Sequence, residues 1–376
     1  MRKLSAKRVF AAIALITVLI ITQTGCSSNA QNNNHGIGKT GFYLDTICGV
    51  TVYGMSDDDG KLAMLSNDEF ELYVLQVITD AFILCSEYEG ILSKAIASSD
   101  ISRINNAGGK RVEVSHETVE VIEKGLKFGD ISRGAFDITI GKATDLWDFH
   151  DNMETGHEGG KIPSQEALKE AVSHVNYEDV IISGNTVQLA DSQAEINLGG
   201  IAKGYIADKV ASYLEERGVT SAVVDLGGNI VVIGDKSPEL LYDKAEASQE
   251  ITPFNIGITD PLSDTGDLLG ILPCSNKTVV TSGTYERYFE EDGIRYHHIL
   301  NPDTGYPVDT DVLSVTIISD RGNSADCDGL STTCLALGMD KGMELVKSME
   351  GFDAIFVDTD GNVQMSSTEI GFQLNR

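Results

Sequence analysis

The sequence is short of positive charge. Its 376 residues hold 28 Lys and Arg against 57 Asp and Glu, a formal net charge of −29. Nucleic acid and anionic lipid surfaces are bound through concentrated Lys and Arg, so neither is the main partner. Cysteine is scarce and has the wrong spacing for a metal site: six residues and no CxxC pair. With Cys26 set aside, Cys48, Cys85, Cys274, Cys327 and Cys334 remain, an odd number that cannot all pair within one chain. That argues against a disulfide scaffold and a cysteine zinc site, and reads as small buried apolar residues. Long apolar runs are missing but for Val9 to Ile21, too short for an ordinary membrane-spanning helix. Internal repeats and interdomain linkers are absent. What is present is 41% apolar residues, enough for a substantial core and too many for wholesale disorder.

The apolar run follows Arg2, Lys3, Lys7 and Arg8, the order of a secretory signal over residues 1–25. Cys26, preceded by Thr24-Gly25, resembles a bacterial lipobox, with Gln23 where Leu is usual. This predicts lipidation at Cys26 and a polar tether over residues 26–40, placing the protein outside the cytoplasm and lipid-anchored to the bacterial cell membrane. The alternative is ordinary cleavage and a free secreted protein. Removal of residues 1–25 deletes four positive charges and takes the net charge from −29 to −33. An anionic ligand would then need a local source of positive charge.

The remainder alternates helical and strand patterns without regular βαβ order, which predicts one α+β unit over residues 41–376. Strands are expected at 41–55, 222–233, 254–259, 268–274, 278–282, 286–291, 294–300 and 312–319, with a hairpin at 353–366 around Asp360-Gly361. Helices are expected at 68–93, from Ser115, after Pro163-Ser164, up to Gly218, and at 326–337 and 340–350. Residues 235–252 are polar and acidic, the composition of a surface insertion.

Four segments carry chemistry. In Glu195–Tyr205 a strand enters Gly199-Gly200 and a helix leaves it, with Lys203 in its first turn. Glycine admits a ligand close to the backbone, and a helix N-terminus offers N–H groups to an anion. The order is neither a Walker A loop nor GxGxxG, and a tight turn with a surface lysine is the plainer reading. In Asp326–Thr333, Asp328 and Thr332 lie i and i+4 on a helix, a hard-oxygen pair suited to Mg²⁺; helix capping is the plainer reading. A strand ending at Asn301-Pro302 presents His297 and His298 on opposite faces, so that one of them is available to chemistry. Gly134–Gly141 precedes the only Trp, Trp147, where core packing is the plainer reading.

Taken in order, the segments resemble the ApbE family, the FAD:protein FMN transferases. The matches run from residue 41 to the C-terminus. Leu44-Asp45-Thr46 stands for a Met-Gly-Thr strand, with departures at two positions. Ser99–Asn105, Phe136–Gly141, Leu198–Gly204, Val224–Asn229, Thr281–Arg287, His298–Pro302 and Asp328…Thr332 follow. The resemblance implies a single ApbE-like, T-fold-like α+β domain with mixed sheets and flanking helices. It implies FAD as substrate and Mg²⁺ as cofactor, with FMN passed to a Thr or Ser hydroxyl of an extracytoplasmic redox protein, such as an Rnf- or Nqr-type subunit, and AMP released. By position, Gly200, Asp328 and Thr332 would hold the metal. Leu44, Ala135, Phe136, Asp137, Asn197, Lys203 and His298 would contact FAD, with Asn197 where the family often has Asp. His298, Lys203 and Asp328 would carry the catalysis. The proton acceptor stays open between His298, Asp328 and a metal-bound group. An FAD-hydrolysing lipoprotein and a non-enzymatic flavin carrier are the competing readings. Self-modification at Thr281–Thr284 is disfavoured by the missing Ala after Gly283.

Overall fold

Serine residues open the main helices. Ser66 Oγ accepts from Glu69 N at 3.4 Å while Glu69 Oε2 accepts from Ser66 N at 2.8 Å, a reciprocal cap. Ser115 and Ser164 cap two later helices by the hydroxyl alone, accepting from Thr118 N and Ala167 N. The structure is a computed structural model describing residues 36–56, 60–147, 149, 160–236, 252–263 and 265–375. Among these the helices are α1 (Asn67–Leu92), α2 (Asp100–Asn105), α3 (His116–Ser132), α4 (Gly141–Thr144), α5 (Gln165–Val172), α6 (Ala202–Glu216), α7 (Ser324–Leu337) and α8 (Met339–Ser348). Gly218 and Gly351, the predicted stops, carry φ of 85° and 84°.

The strands are β1 (Ile37–Tyr43), β2 (Thr46–Met55), β3 (Val112–Glu113), β4 (Val180–Ser183), β5 (Thr186–Leu189), β6 (Val219–Leu226), β7 (Asn229–Ile233) and β8 (Phe254–Thr259). They continue as β9 (Leu268–Cys274), β10 (Lys277–Gly283), β11 (Tyr288–Glu291), β12 (Ile294–His297), β13 (Val312–Asp320), β14 (Phe352–Asp358), β15 (Val363–Met365) and β16 (Gln373–Leu374). Eight of them form one sheet in the order β1-β2-β6-β7-β10-β13-β14-β15, antiparallel at every pairing. Helices α6 and α7 pack on one face, over Val224, Val280, Val315 and Ile317. The small sheet β16-β9-β8 covers the other, with Phe254, Ile256 and Leu272 against Val232, Val279 and Ile318. Coverage on both faces explains why β13 is buried almost end to end instead of alternating. The α+β expectation holds.

Three boundaries differ from the sequence reading. Residues 41–55 are not one strand: Leu44 and Asp45 both take left-handed φ, 54° and 56°, and turn β1 back onto β2. The sheet therefore begins at Ile37, inside the expected tether. Residues 222–233 likewise split, because Gly227 and Gly228 (φ 64° and 86°) reverse the chain between β6 and β7. β12 ends at His297, leaving His298 just past it. The small sheet β3-β5-β4 was not expected, since its strands have two to four residues. Of the acidic stretch 235–252, residues 237–251 lie outside the described residues, as do the signal, Cys26 and the start of the tether.

Trp147 is a core residue. It is fully buried, donates from Nε1 to Gly305 O at 2.7 Å, and stacks with Phe149 and Tyr296. Cys48, Cys85, Cys274, Cys327 and Cys334 are free and buried, as expected. Among the described residues no helix is long and apolar enough to cross a membrane.

Candidate active site

The site grows from two helices meeting over the sheet. Gly204, in the first turn of α6, faces α7 so closely that a Cβ there would lie 2.2 Å from Ser324 O and 2.8 Å from Asp328 Cβ. Only glycine permits that approach. The contact lets Gly204 N donate to Asp328 Oδ2 at 2.9 Å, meeting one of the N–H groups left free at a helix start. Asp208, one turn further along α6, accepts from Ser324 N and Ala325 N at 3.1 Å each. Each helix thus supplies the other's cap. Lys124 and Lys127 of α3 pair with Asp326 and fix α7 from its far side.

Around this clamp sit most of the residues singled out by sequence. Asp328 is 3% exposed, and burial pushes its pKa up against the opposing effects of Lys203, the Gly204 N–H and the Asn229 amide. A Cβ on Gly200 would sit 3.5 Å from Thr332 Oγ1 and 3.0 Å from the Phe136 ring, so Gly200, Thr332 and Phe136 share one corner. Ser282 Oγ lies 3.3 Å from Thr332 Oγ1 and 2.7 Å from Ser331 Oγ, and Ser331 Oγ donates to Asp328 O at 3.0 Å. Ser282 and Thr284 are buried, which argues against either as an acceptor for self-modification, while Thr281 is partly exposed.

Lys203 faces a cavity of about 410 Å³ shared with Asp45, Thr46, Asp225, Gly228, Thr281, Tyr285, Glu286 and Arg287. Burial raises the pKa of Asp225 and of Glu286, and Lys203 lowers both. Three carboxylates, Asp225, Glu286 and Asp328, therefore share the field of Lys203. Without an added cation the balance does not favour a pyrophosphate.

The two histidines part as alternation predicts. His297 is buried and its Nε2 lies 3.2 Å from Val308 O, with burial pushing its pKa down to about 4. His298 keeps partial access to solvent, and its Nδ1 lies 3.3 Å from Arg287 O, so Nδ1–H donates and Nε2 remains the acceptor. Desolvation, then the charges of Arg287, His297 and Lys203, push its pKa down to about 3. The imidazole is neutral at pH 7, well below the near-neutral pKa that suits a general base. Arg287 also donates to Asp45 O at 3.2 Å, joining the Leu44-Asp45 turn to the site.

Other expected contacts lie apart. Ala135 and Asp137 line a different cavity, of about 580 Å³, with Arg133, Tyr177, Asn301 and Asp303. The Asp137 carboxylate is taken up by Thr139 N, Thr139 Oγ1 and Tyr177 N at 2.6–2.8 Å. Asn197 is spent on its own turn, accepting from Gly199 N at 2.9 Å and donating to Thr144 Oγ1 at 3.1 Å. Glu286, Asn229, Ser282 and Asp208 were not singled out by sequence. Glu286, Asn229 and Ser282 lie inside matched motifs, which is the signal that could have found them.

The donors fit a hard cation. Among the described residues no group of three His, Cys, Asp or Glu side chains is placed to hold a metal. One buried carboxylate with a hydroxyl one helical turn on, packed against Gly200, is the kind of oxygen set that Mg²⁺ accepts while keeping water or phosphate in its other positions. The buried Asn229 amide, which favours the charged form of Asp328, adds a polar group to the set.

Known proteins share this architecture. The chain is 33% identical to an FAD:protein FMN transferase of Treponema pallidum over 96% of its own length and 94% of the relative's. It is 34% identical to an FAD:protein FMN transferase of Klebsiella pneumoniae over 82% and 88% of the two chains. The ApbE protein of Thermotoga maritima superposes with a TM-score of 0.72 at 29% identity, over 89% and 98% of the two chains. The ApbE family profile matches residues 44–356, which include every site residue placed above, and the chain belongs to the ApbE family.

Proposed function

We propose that this chain moves the FMN part of FAD onto a Thr or Ser hydroxyl of an acceptor protein, releasing AMP, with Mg²⁺ as cofactor. The observation that supports the reading is the clamp in which Gly204 N donates to the buried Asp328, with Thr332 one helical turn on and packed against Gly200. FMN transfer from FAD to a protein is the activity named for the relatives above. The hydroxyl oxygen forms a bond to the FMN-side phosphorus, the P–O bond to AMP breaks, and the hydroxyl proton must leave.

Asp328 Oδ, Thr332 Oγ1 and the Gly200 carbonyl would hold the metal, which when bound neutralises phosphate charge as a Lewis acid. Lys203 and Arg287 place positive charge along the pyrophosphate and stabilise the leaving side. The Gly199-Gly200 turn brings backbone up to the phosphates. Leu44, Phe136 and Asn197 would border the ground for the rest of FAD, Asn197 by shaping the turn, whereas Ala135 and Asp137 line the separate cavity. His298 Nε2 takes the hydroxyl proton. Its low pKa in the free protein rises when the phosphates offset Lys203 and Arg287, so the base strengthens as substrate binds.

The leader supports the address: signal over residues 1–25, lipid at Cys26, and an acceptor on the outer side of the membrane, such as an Rnf- or Nqr-type subunit. Incubation with FAD and Mg²⁺, with and without such a domain, tests the reading. AMP should appear only with the domain. AMP and FMN in equal amounts without it favour hydrolysis, and intact FAD favours a carrier.

A further inference from the structure

The matched segment Ser99–Asn105 lies outside the cavity of Lys203, yet Asn105, which ends α2, reaches the stretch that leads into the glycine turn. Asn105 Nδ2 donates to Ile196 O at 2.9 Å and its Oδ1 accepts from Ile196 N at 2.8 Å, the pair of bonds that an antiparallel strand would make. On the other edge of the same stretch, Gly141 N donates to Glu195 O at 2.9 Å and Asn197 N to Ile138 O at 2.7 Å. One side chain thus stands where a second strand would be. Asn105 is itself held in place. Ser99 Oγ accepts from Ser102 N at 2.9 Å and donates to Ser93 O at 2.6 Å, and Ser102 Oγ donates to Lys94 O at 2.7 Å. Lys94 completes the bracket, donating to Gly141 O at 2.8 Å with Glu195 Oε2 at 3.8 Å.

Gly199-Gly200 has the conformational freedom of two glycines, so its aim depends on what holds its two ends. Downstream, α6 is fixed by the bond from Gly204 N to Asp328. Upstream, the hold is at Ile196, which is fully buried. Without Asn105, the N–H and C=O of Ile196 lose their partners, and the stretch must shift to find others.

We propose that Asn105 is a positioning residue: standing in for a strand along Ile196, it aims the Gly199-Gly200 turn, and Lys203 behind it, at the diphosphate. The inference rests on the reading of that turn as the diphosphate site. Asn105 acts through Ile196 and touches no substrate. A purely structural asparagine would cost stability when replaced and leave affinity alone. Asn106 supplies the comparison, since its Nδ2 donates to Ser102 O at 2.7 Å, inside the same helical turn.

The test is calorimetric binding of ADP with Mg²⁺ to the whole mature chain, the ADP diphosphate standing in for that of FAD. Melting temperature and Trp147 emission are measured beside it. Asn105→Asp keeps the size and the acceptor facing Ile196 N but cannot donate to Ile196 O. Asn105→Ala removes both bonds and serves if the aspartate variant does not fold. Well below its melting temperature, and with native Trp147 emission, either should bind ADP at least about fivefold more weakly, the typical worth of one hydrogen bond. A smaller loss in a folded variant overturns the proposal. So does an equal loss in Asn106→Ala, which should bind as the wild type does. Lys203→Ala separates the two claims. If it weakens ADP binding and the Asn105 variants do not, only the role of Asn105 falls. If the wild type takes up no ADP, or Lys203→Ala binds it equally well, the diphosphate reading of the turn falls and takes this inference with it.

Discussion

Asp208 and Asp328 cap each other's helices: Asp208 on α6 accepts from Ser324 N and Ala325 N of α7, and Asp328 on α7 accepts from Gly204 N of α6. The reciprocal cap ties the fold to the site. The carboxylate proposed to serve metal chemistry is held by the same bond that starts the neighbouring helix.

Asp208 should leave a pH signature in stability. Burial, its largest influence, raises its pKa from 3.8 to about 6. The native state then holds a proton that the unfolded chain releases, so stability falls as pH rises through about 4 to 6. The effect is on the order of 3 kcal/mol at most. Asp208→Asn removes that titration. Melting curves across this range should show the wild type losing stability relative to the variant as pH rises. Parallel curves would contradict the assignment.

Gly204→Ala should separate the helices. Its Cβ would meet backbone at 2.2 Å, and no flexible side chain can yield there. A loss of roughly 1–3 kcal/mol, or more, is expected in urea unfolding, together with weakened metal binding. An unchanged midpoint would mean that the helices are less tightly apposed than described.

Asp328→Asn keeps an oxygen to accept from Gly204 N but removes the charge. Circular dichroism should match the wild type, and Mg²⁺-dependent AMP release should drop by at least a hundredfold. Wild-type turnover in that variant contradicts the metal assignment.

The proposed role of His298 as proton acceptor requires its neutral form, so protonation should lower activity as pH falls. The acid limb of kcat/KM, which reports the free enzyme, should lie at lower pH than that of kcat, because bound phosphates raise the imidazole pKa. His298→Ala should lower kcat by about 10²–10⁴-fold and remove the limb in kcat. A variant with wild-type kcat shows that another group takes the proton.

Trp147, the only tryptophan, reports on the core beside the Asn301–Gly305 turn. Its emission should be blue-shifted in the native state and move red on unfolding. Trp147→Ala should cost about 3–5 kcal/mol, read from the unfolding midpoint. Native emission at the wavelength of free tryptophan would contradict its burial.

Much of this was legible because local chemistry and global fold agree. Ser115, Ser164 and Gly218 announce helix ends by the hydrogen bonds or left-handed turns that such residues favour. That Asp328 and Thr332 lie one turn apart on a helix was legible from spacing, and α7 spans both. The Leu44-Asp45 turn was hidden because two non-glycine residues adopt φ above zero, which sequence disfavours. The separation of Ala135 and Asp137 from Lys203, and the burial of the Asn229 amide, arise from long-range packing that no local pattern encodes. The acidity of the chain was a poor guide to the site, where Lys203 sits among the carboxylates of Asp225, Glu286 and Asp328.

The account's central claim is tested most directly by the mass of an acceptor domain after incubation with the enzyme, FAD and Mg²⁺. The account predicts a gain equal to one FMN on a Thr or Ser, absent with Asp328→Asn. An acceptor of unchanged mass while FAD is split to FMN and AMP would contradict it.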